Sequence, residues 1–568
     1  MKLFRKIQKW FENQENLYYL FLIILIVPNI VLCFTEPMPL VAKVCNVLLP
    51  FSIYHMIMSW SGNCGKTFWI LFPFLFFGAF QIVLLYLFGQ SVIAVDMFLN
   101  LVTTNPGEAL ELLDNLIPAI IIVVLLYIPA LVLAAVAVSK KRRLSEMFVR
   151  RERKRAGITV IAGILSLVAA YLFDARYELK SDLYPANVCY NIALAFQRTA
   201  QTQHYAETSK DFTFQAKTTR PEKNREVYVM VIGETSRAAN WSIYGYNRNT
   251  NPELTKIKGL TAFSHVLTES NTTHKSVPML MSSVTAHDFN SIYRQKGIIT
   301  AFKEAGYRTA FFSNQRYNHS FIDFFGKEAD ICDFIKEDTG DGGYNPSDDE
   351  LLKLVAAELA ENVSKQFIVL HTYGSHFNYR ERYPADNAFF LPDFPVDAEL
   401  KYKDNLINAY DNSIRYTDNF LARLIRMLQE QDIDAAMLYT SDHGEDIFDD
   451  DRHLFLHASP VPSYYQIHVP FLIWMSDNYR KNYPDLFKNA EINRQKNISS
   501  SASFFQTMLE LGGIDTPSRN DSLSVINASY TEKNRVYLND HNEARSLNDI
   551  GMREEDFTML QMKGIVYR

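Results

Sequence analysis

The chain has 568 residues, with 57 Lys and Arg against 63 Asp and Glu, and its net charge of −6 excludes a protein that coats nucleic acid or another polyanion. Charged residues at 21% and aromatic residues at 13% exclude a disordered chain, and five cysteines exclude a disulfide scaffold. These averages conceal a division, because the first third is apolar while twelve of the thirteen histidines follow residue 200.

Five apolar runs come first, at residues 17–34, 39–60, 67–89, 115–138 and 157–173. A helix of roughly 20 residues crosses a hydrocarbon core of about 30 Å, so each reads as a membrane span. Five in succession exclude a cleaved signal peptide. Stretches such as 120–138 carry no charge at all, which excludes helices of a soluble core. No span shows a convincing buried charge pair, so a transporter is not indicated. Residues 1–173 are therefore expected to form a transmembrane domain of five helices.

Basic residues set its orientation. Lys2, Arg5, Lys6 and Lys9 precede the first span, and nine Lys and Arg lie between Lys140 and Arg155, whereas residues 90–114 have none. The tail and the basic loop face the cytoplasm, and five spans put everything after Phe173 outside. In the neutral loop, Asn100, Thr104 and Glu108 recur every four residues and would share one polar helix face. Residues 174–222, with Tyr177, Tyr184, Tyr190 and Phe196 among polar residues, read as an interfacial linker to a third part, 223–568.

In that third part short apolar runs alternate with helical segments. Residues 227–232, 309–312, 367–370, 435–439 and 471–474 read as strands buried on both faces, and 299–305, 349–362 and 408–431 as helices. This alternation predicts an α/β domain with a mostly parallel central sheet, whose ligands bind beyond the carboxyl ends of the strands. Polar residues collect at those ends. The first strand runs into Gly233-Glu234-Thr235-Ser236-Arg237, the third into His371 and Gly374-Ser375-His376, and the fourth into Ser441-Asp442-His443-Gly444-Glu445. A single Asp after a strand is ordinary turn chemistry. Three strands delivering Glu, His and Asp-His to one edge indicate a metal site of Zn²⁺ or Mn²⁺ type.

These motifs resemble those of the bacterial phosphoethanolamine transferases, in the alkaline phosphatase and sulfatase superfamily. The resemblance rests on residues 233–237, Gly245-Tyr246-Asn247-Arg248-Asn249-Thr250-Asn251-Pro252, Ser276-Val277-Pro278, Tyr410-Asp411-Asn412-Ser413, Tyr416-Thr417-Asp418 and residues 441–445. It implies that Glu234, Asp442 and His443 bind a catalytic zinc, with manganese as the alternative ion. Thr235, Thr272 and Thr273 are all candidate nucleophiles by composition. The register of the Ser-Val-Pro motif in the family favours Thr273, which would also touch the metal. His376 and His457 resemble histidines around the phosphate and a second metal, with His453 one helical turn before His457 as a substitute. Asn100, Thr104 and Glu108 match a pattern for binding the lipid donor.

The chain departs from the family twice. Only Cys189 and Cys332 follow the last span, enough for one bridge, and a lysine usually near the phosphate has no counterpart around residues 314–320.

The resemblance implies a multi-pass inner-membrane enzyme with a periplasmic catalytic domain. Phosphatidylethanolamine would be the donor, Thr273 would carry the phosphoethanolamine group, and lipid A or a lipopolysaccharide core sugar would be the acceptor. A phosphoglycerol transferase of the lipoteichoic-acid synthase type is the nearest alternative, and the Glu-Thr-Ser-Arg motif counts against it. A non-catalytic membrane sensor would lack a ligand or the nucleophile, and none is missing. A sulfatase activity would need an arginine where Leu280 stands.

Overall fold

Where no water is present, every peptide group must bond within its own segment, and the apolar runs of the first third accordingly fold as helices. The computed structural model describes the chain apart from residues 1–5, 7–8, 37, 89–91, 96–105, 175–176, 222–224, 337–344 and 568, and the side chains of 87–88 and 106–115. The chain divides into two units, Met1–Gln197 and Arg198–Arg568.

The first unit contains α1 (Gln14–Thr35), α2 (Leu40–Met58), α3 (Cys64–Ile70), α4 (Phe72–Phe88), α5 (Pro106–Ser139) and α6 (Glu146–Phe173). Four helices among the described residues are long and apolar enough to cross a membrane, and there are five if α3 and α4, bent by 61° to one another, count as one span. The bend falls at Leu71, just before Pro73, which has no N–H to continue the ladder of α3. Gly163 allows α6 to approach α2, since a Cβ there would lie 2.7 Å from Ser52 Oγ. Asn100 and Thr104 lie outside the described residues, as does the Glu108 side chain.

A buried ionisable pair, His55 Nε2 and Glu152 Oε2 at 3.4 Å, lies at the edge of the apolar runs. Helix α6 begins at Glu146, well before its apolar run, and so brings Glu152 onto the end of α2. Arg151 and Arg155 also reach Glu152, at 3.0 and 2.9 Å, so the pair clasps helix ends beside the basic loop.

The linker segment contains α7 (Ala186–Gln203). The second unit is built on seven strands: β1 (Glu226–Gly233), β2 (Leu260–Phe263), β3 (Arg308–Ser313), β4 (Ile331–Phe334), β5 (Lys365–His371), β6 (Asp434–Ser441) and β7 (Phe471–Met475). Their order is β2-β7-β6-β1-β5-β3-β4. From β6 to β4 all neighbours are parallel, whereas β7 runs antiparallel to both β6 and β2. Helices α8 (Thr273–Met281), α9 (Ile298–Glu304), α10 (Asp349–Ala360) and α11 (Lys403–Gln429) belong to the same unit.

Every residue of β1 and β6 is buried, which explains their uninterrupted apolar runs. The two-residue period of a strand sends Tyr228, Met230 and Ile232 into one core and Val227, Val229 and Val231 into the other. In the first core Phe302 of α9 stacks on Phe367 of β5, with ring centroids 3.8 Å apart. Short β2 and β4, only partly buried, lack this apolar signature and were not anticipated. All five cysteines are free thiols, so the bridge allowed between Cys189 and Cys332 is not formed.

The stack makes the sheet's sensitivity measurable. Phe367→Ala removes a fully buried ring from between α9 and the sheet and should cost about 3–5 kcal/mol. The expected readout is a lower denaturant midpoint for the second unit of the full-length protein.

Candidate metal centre and active site

The ladder register builds the site. Gly233 at the end of β1 pairs with Ser441 at the end of β6. The next residue of each strand, Glu234 and Asp442, therefore emerges beside the other at the carboxyl edge. His443 follows directly, and one ligand atom from each of the three lies within 4.8 Å of the others. Its Nε2 is 3.6 Å from Glu234 Oε1 and 3.2 Å from Asp442 Oδ2. Its Nδ1 lies 3.0 Å from the Gly444 carbonyl, which turns Nε2 inward. The Thr235 and His443 amides donate to Asp442 Oδ1 at 3.1 and 2.7 Å.

The three candidate threonines separate by geometry. The Thr235 hydroxyl is fully buried and donates to Glu234 Oε1 at 2.7 Å. The Thr272 hydroxyl lies 3.1 Å from Ser270 Oγ, away from the acidic pair. Thr273, the half-buried first residue of α8, has its hydroxyl 3.2 and 3.4 Å from the Glu234 oxygens and 3.1 Å from His443 Nε2. It also sits at a helix N-terminus, where backbone amides and the helix dipole favour an anion.

The charges identify what the centre lacks in protein alone. Burial, and then the Asp442 charge, raises the Glu234 carboxyl, and burial raises Asp442 to about 6. Burial also pushes His443 down to about 3, leaving it a neutral donor of the kind metals bind. Two buried carboxylates side by side must take up protons or be neutralised by a cation. Two carboxylates, an imidazole and a hydroxyl, with no thiolate, fit a divalent ion such as zinc.

Around this centre the predicted histidines form a line. The His443 and His457 ring centroids are 4.2 Å apart, and those of His457 and His376 are 5.9 Å apart. His457 Nδ1 lies 3.2 Å from Glu445 Oε2. Burial lowers the His457 pKa, but its bond to Glu445 and the carboxylates of Glu234 and Asp442 outweigh this and raise it. Exposed His453 carries no such contact, so its proposed substitution for His457 is not needed. His371 is a correction: it is buried at the end of β5, 3.2 Å from Ser313 Oγ, and stands outside the metal-type cluster.

Two residues were missed. Gln315 Nε2 donates to Glu234 Oε2 at 2.9 Å and to the Thr372 carbonyl at 3.1 Å, so an amide fills the stretch where no lysine was found. Lys336 arrives just beyond β4, its Nζ 2.9 Å from the centre of the Tyr373 ring, which stacks on His376. Only the chain path beyond β3 and β4 places them here, and spacing carried no signal for either.

The motif residues outside the centre hold it in place. Arg237 is buried, pairs with Asp449 at 2.6 Å and donates to the Glu445 carbonyl at 2.9 Å. The Tyr410 hydroxyl donates to the Thr235 carbonyl and accepts from the Arg237 amide. Asp411 accepts from Asn240, Tyr246 and Arg248 at 2.7, 3.0 and 2.6 Å. Ser276 Oγ donates to the Thr272 carbonyl at 2.9 Å and lies 3.4 Å from Asp442 Oδ2, tying α8 to β6.

A parallel sheet with a metal-type cluster at its carboxyl edge defines an enzyme of the alkaline phosphatase-like class. A family model described as Sulfatase matches residues 226–514, and one described as Phosphoethanolamine transferase EptA/EptB matches residues 63–200. The chain belongs to the sulfatase family. It is 30% identical over 296 residues to the Kdo(2)-lipid A phosphoethanolamine 7''-transferase of Escherichia coli strain K12, a match spanning 51% of either chain and so about half of that relative's length. The integral membrane lipooligosaccharide phosphoethanolamine transferase A of Neisseria meningitidis shares the fold, with a TM-score of 0.71 at 20% identity over 90% of this chain and 97% of that one. So does the C-terminal periplasmic domain of EptC from Escherichia coli, in complex with Zn, with a TM-score of 0.55 at 23% identity over 60% of this chain and 97% of that one.

Two substitutions test the packing behind the site. A Cβ on Gly444 would meet the Tyr465 carbonyl at 2.2 Å and Arg237 Cβ at 2.6 Å. Gly444→Ala should therefore displace His443 and lower both metal affinity and melting temperature. Arg237→Ala removes a buried guanidinium from partly buried Asp449 and the Glu445 carbonyl and should destabilise the second unit, read as a lower denaturant midpoint.

Proposed function

We propose that the chain transfers phosphoethanolamine from phosphatidylethanolamine to lipid A or a core sugar of lipopolysaccharide, through a covalent intermediate on Thr273. One observation carries the reading: the Thr273 hydroxyl, alone among the three candidates, faces both Glu234 and His443 from a helix N-terminus. The match of residues 63–200 to the phosphoethanolamine transferase EptA/EptB model supports the donor group, and the zinc in the similar EptC domain supports the metal. The N-terminal tail and the loop 140–155 face the cytoplasm, and the catalytic unit lies in the periplasm of a Gram-negative cell.

Glu234, Asp442, His443 and the Thr273 hydroxyl would hold zinc. Bound there, a divalent ion lowers the hydroxyl pKa and draws charge from the phosphoryl oxygens. The protein's own residues do the rest. Thr273 Oγ forms a bond to phosphorus as the phosphorus–oxygen bond to diacylglycerol breaks, and the hydroxyl proton ends on the departing diacylglycerol. An acceptor oxygen then bonds the same phosphorus, and Thr273 Oγ leaves and regains a proton. His457, held through Nδ1 by Glu445, and His376 stand where they can pass that proton or offset the acceptor's charge. Lys336 adds positive charge behind them. Gln315 holds one Glu234 oxygen so that the carboxylate keeps its aim.

Diacylglycerol release from the zinc-loaded, full-length enzyme tests the reaction. Phosphatidylethanolamine should release it and phosphatidylglycerol should not, with the reverse preference overturning the proposal in favour of phosphoglycerol transfer. Thr273→Ala should cut the rate at least about 10³-fold while Thr272→Ala retains most of it. For Gln315→Ala the expected change is a loss of zinc affinity of about 10–100-fold, measured by competition with a chromophoric chelator.

A further inference from the structure

The surface of the second unit departs from ordinary burial in one loop. Among its described residues, seven large apolar side chains are exposed, and four of them, Phe389, Leu391, Phe394 and Leu400, fall within twelve consecutive positions. The exposures of Phe389, Leu391 and Phe394 are 58%, 67% and 70%, those of side chains turned outward rather than incompletely covered. Large apolar groups clustered in this way mark an interaction surface.

The loop is built to present them. Asn405, Asn408 and Asn412 lie along one face of α11. Asn405 Nδ2 donates to the Pro395 carbonyl at 3.1 Å and Asn408 Nδ2 to the Pro392 carbonyl at 2.8 Å. Asn412 Oδ1 accepts from the Phe389 and Phe390 amides at 2.9 and 2.8 Å, and its Nδ2 donates to the Phe390 carbonyl at 3.0 Å. Asp393 is turned inward to the Tyr383 hydroxyl at 2.7 Å and Arg380 at 3.1 Å. Val396 is buried in the core. The loop thus bonds its backbone and Asp393 to the protein and points Phe389, Leu391 and Phe394 out, with Asp397 and Glu399 exposed after them.

We infer that this loop seats in a phospholipid bilayer surface, with Phe389, Leu391 and Phe394 as the inserted side chains. The same chain carries its own membrane spans, so a lipid surface accompanies this unit wherever the protein is. Apolar side chains clustered on a loop of fixed backbone suit insertion into a lipid interface. Arg415 and Arg248 stack over Phe389 and Phe390, each about 4 Å from the ring centre, and Arg248 is held in turn by Asp411 and Asn408. The loop follows His376 and rests on the helix whose Tyr410 bonds the Thr235 carbonyl, so the lipid contact and the active site share one support. The inference rests on the loop and the spans and is independent of the group transferred.

Photocrosslinking of the full-length protein in phospholipid nanodiscs tests it. p-Benzoylphenylalanine replaces Phe389, Leu391 or Phe394, each exposed enough to leave folding intact, and Ile492, exposed at 61%, serves as control. After irradiation, peptide mass spectrometry should find phospholipid adducts at the three loop positions and none at Ile492. Absence of adducts at the loop, equal adducts at Ile492, or crosslinks to a second copy of the chain would each overturn the inference.

Discussion

Two carboxylates and an imidazole held together out of water impose the constraint around which the catalytic unit is organised. Parallel pairing of β1 with β6 forces Glu234 and Asp442 into adjacency, and burial prevents water from screening them. Backbone amides satisfy part of Asp442, and Thr235 and Gln315 satisfy part of Glu234. A divalent cation is the simplest group that would balance the pair while leaving the acids ionised, and the Thr273 hydroxyl points into the same space.

The surrounding polar network follows from the same need for precision. A displacement of about 1 Å in a reacting group costs as much as 10²-fold in rate. Arg237, Asn240, Tyr410 and Asp411 join the loop after β1 to α11, and Ser276 joins α8 to β6, so that Thr273 and the acids come from elements locked to one another. Arg237, Tyr410, Asp411 and Ser276 are buried and make several directed bonds each. Their part is to hold the site in place around Glu234, Asp442 and His443.

Much of this was legible in the amino-acid sequence for physical reasons. Central strands buried on both faces are continuous apolar runs, and residues that leave them at the carboxyl end must share an edge. Glu234, Asp442 and His443 could be grouped on that ground alone. Thr273 could not, because it arrives on a helix from outside the sheet's alternation, and the family resemblance selected it. His371 satisfied the strand-end pattern, yet it is the last residue inside its strand and turns to Ser313. Gln315 and Lys336 were illegible because loops of irregular path deliver them. The His55–Glu152 clasp was hidden by a helix that starts before its apolar run. Edge strands β2 and β4 are too short and too exposed to stand out.

The central claim is that Thr273, and no other hydroxyl, becomes phosphorylated within this centre. Peptide mass spectrometry of the full-length, zinc-loaded protein mixed briefly with phosphatidylethanolamine tests it directly. The account predicts a phosphoethanolamine group on the peptide carrying Thr273, with fragment ions assigning it to that residue, and its loss in Thr273→Ala. A group on Thr272 or Thr235, or diacylglycerol release that persists undiminished in Thr273→Ala, would contradict it.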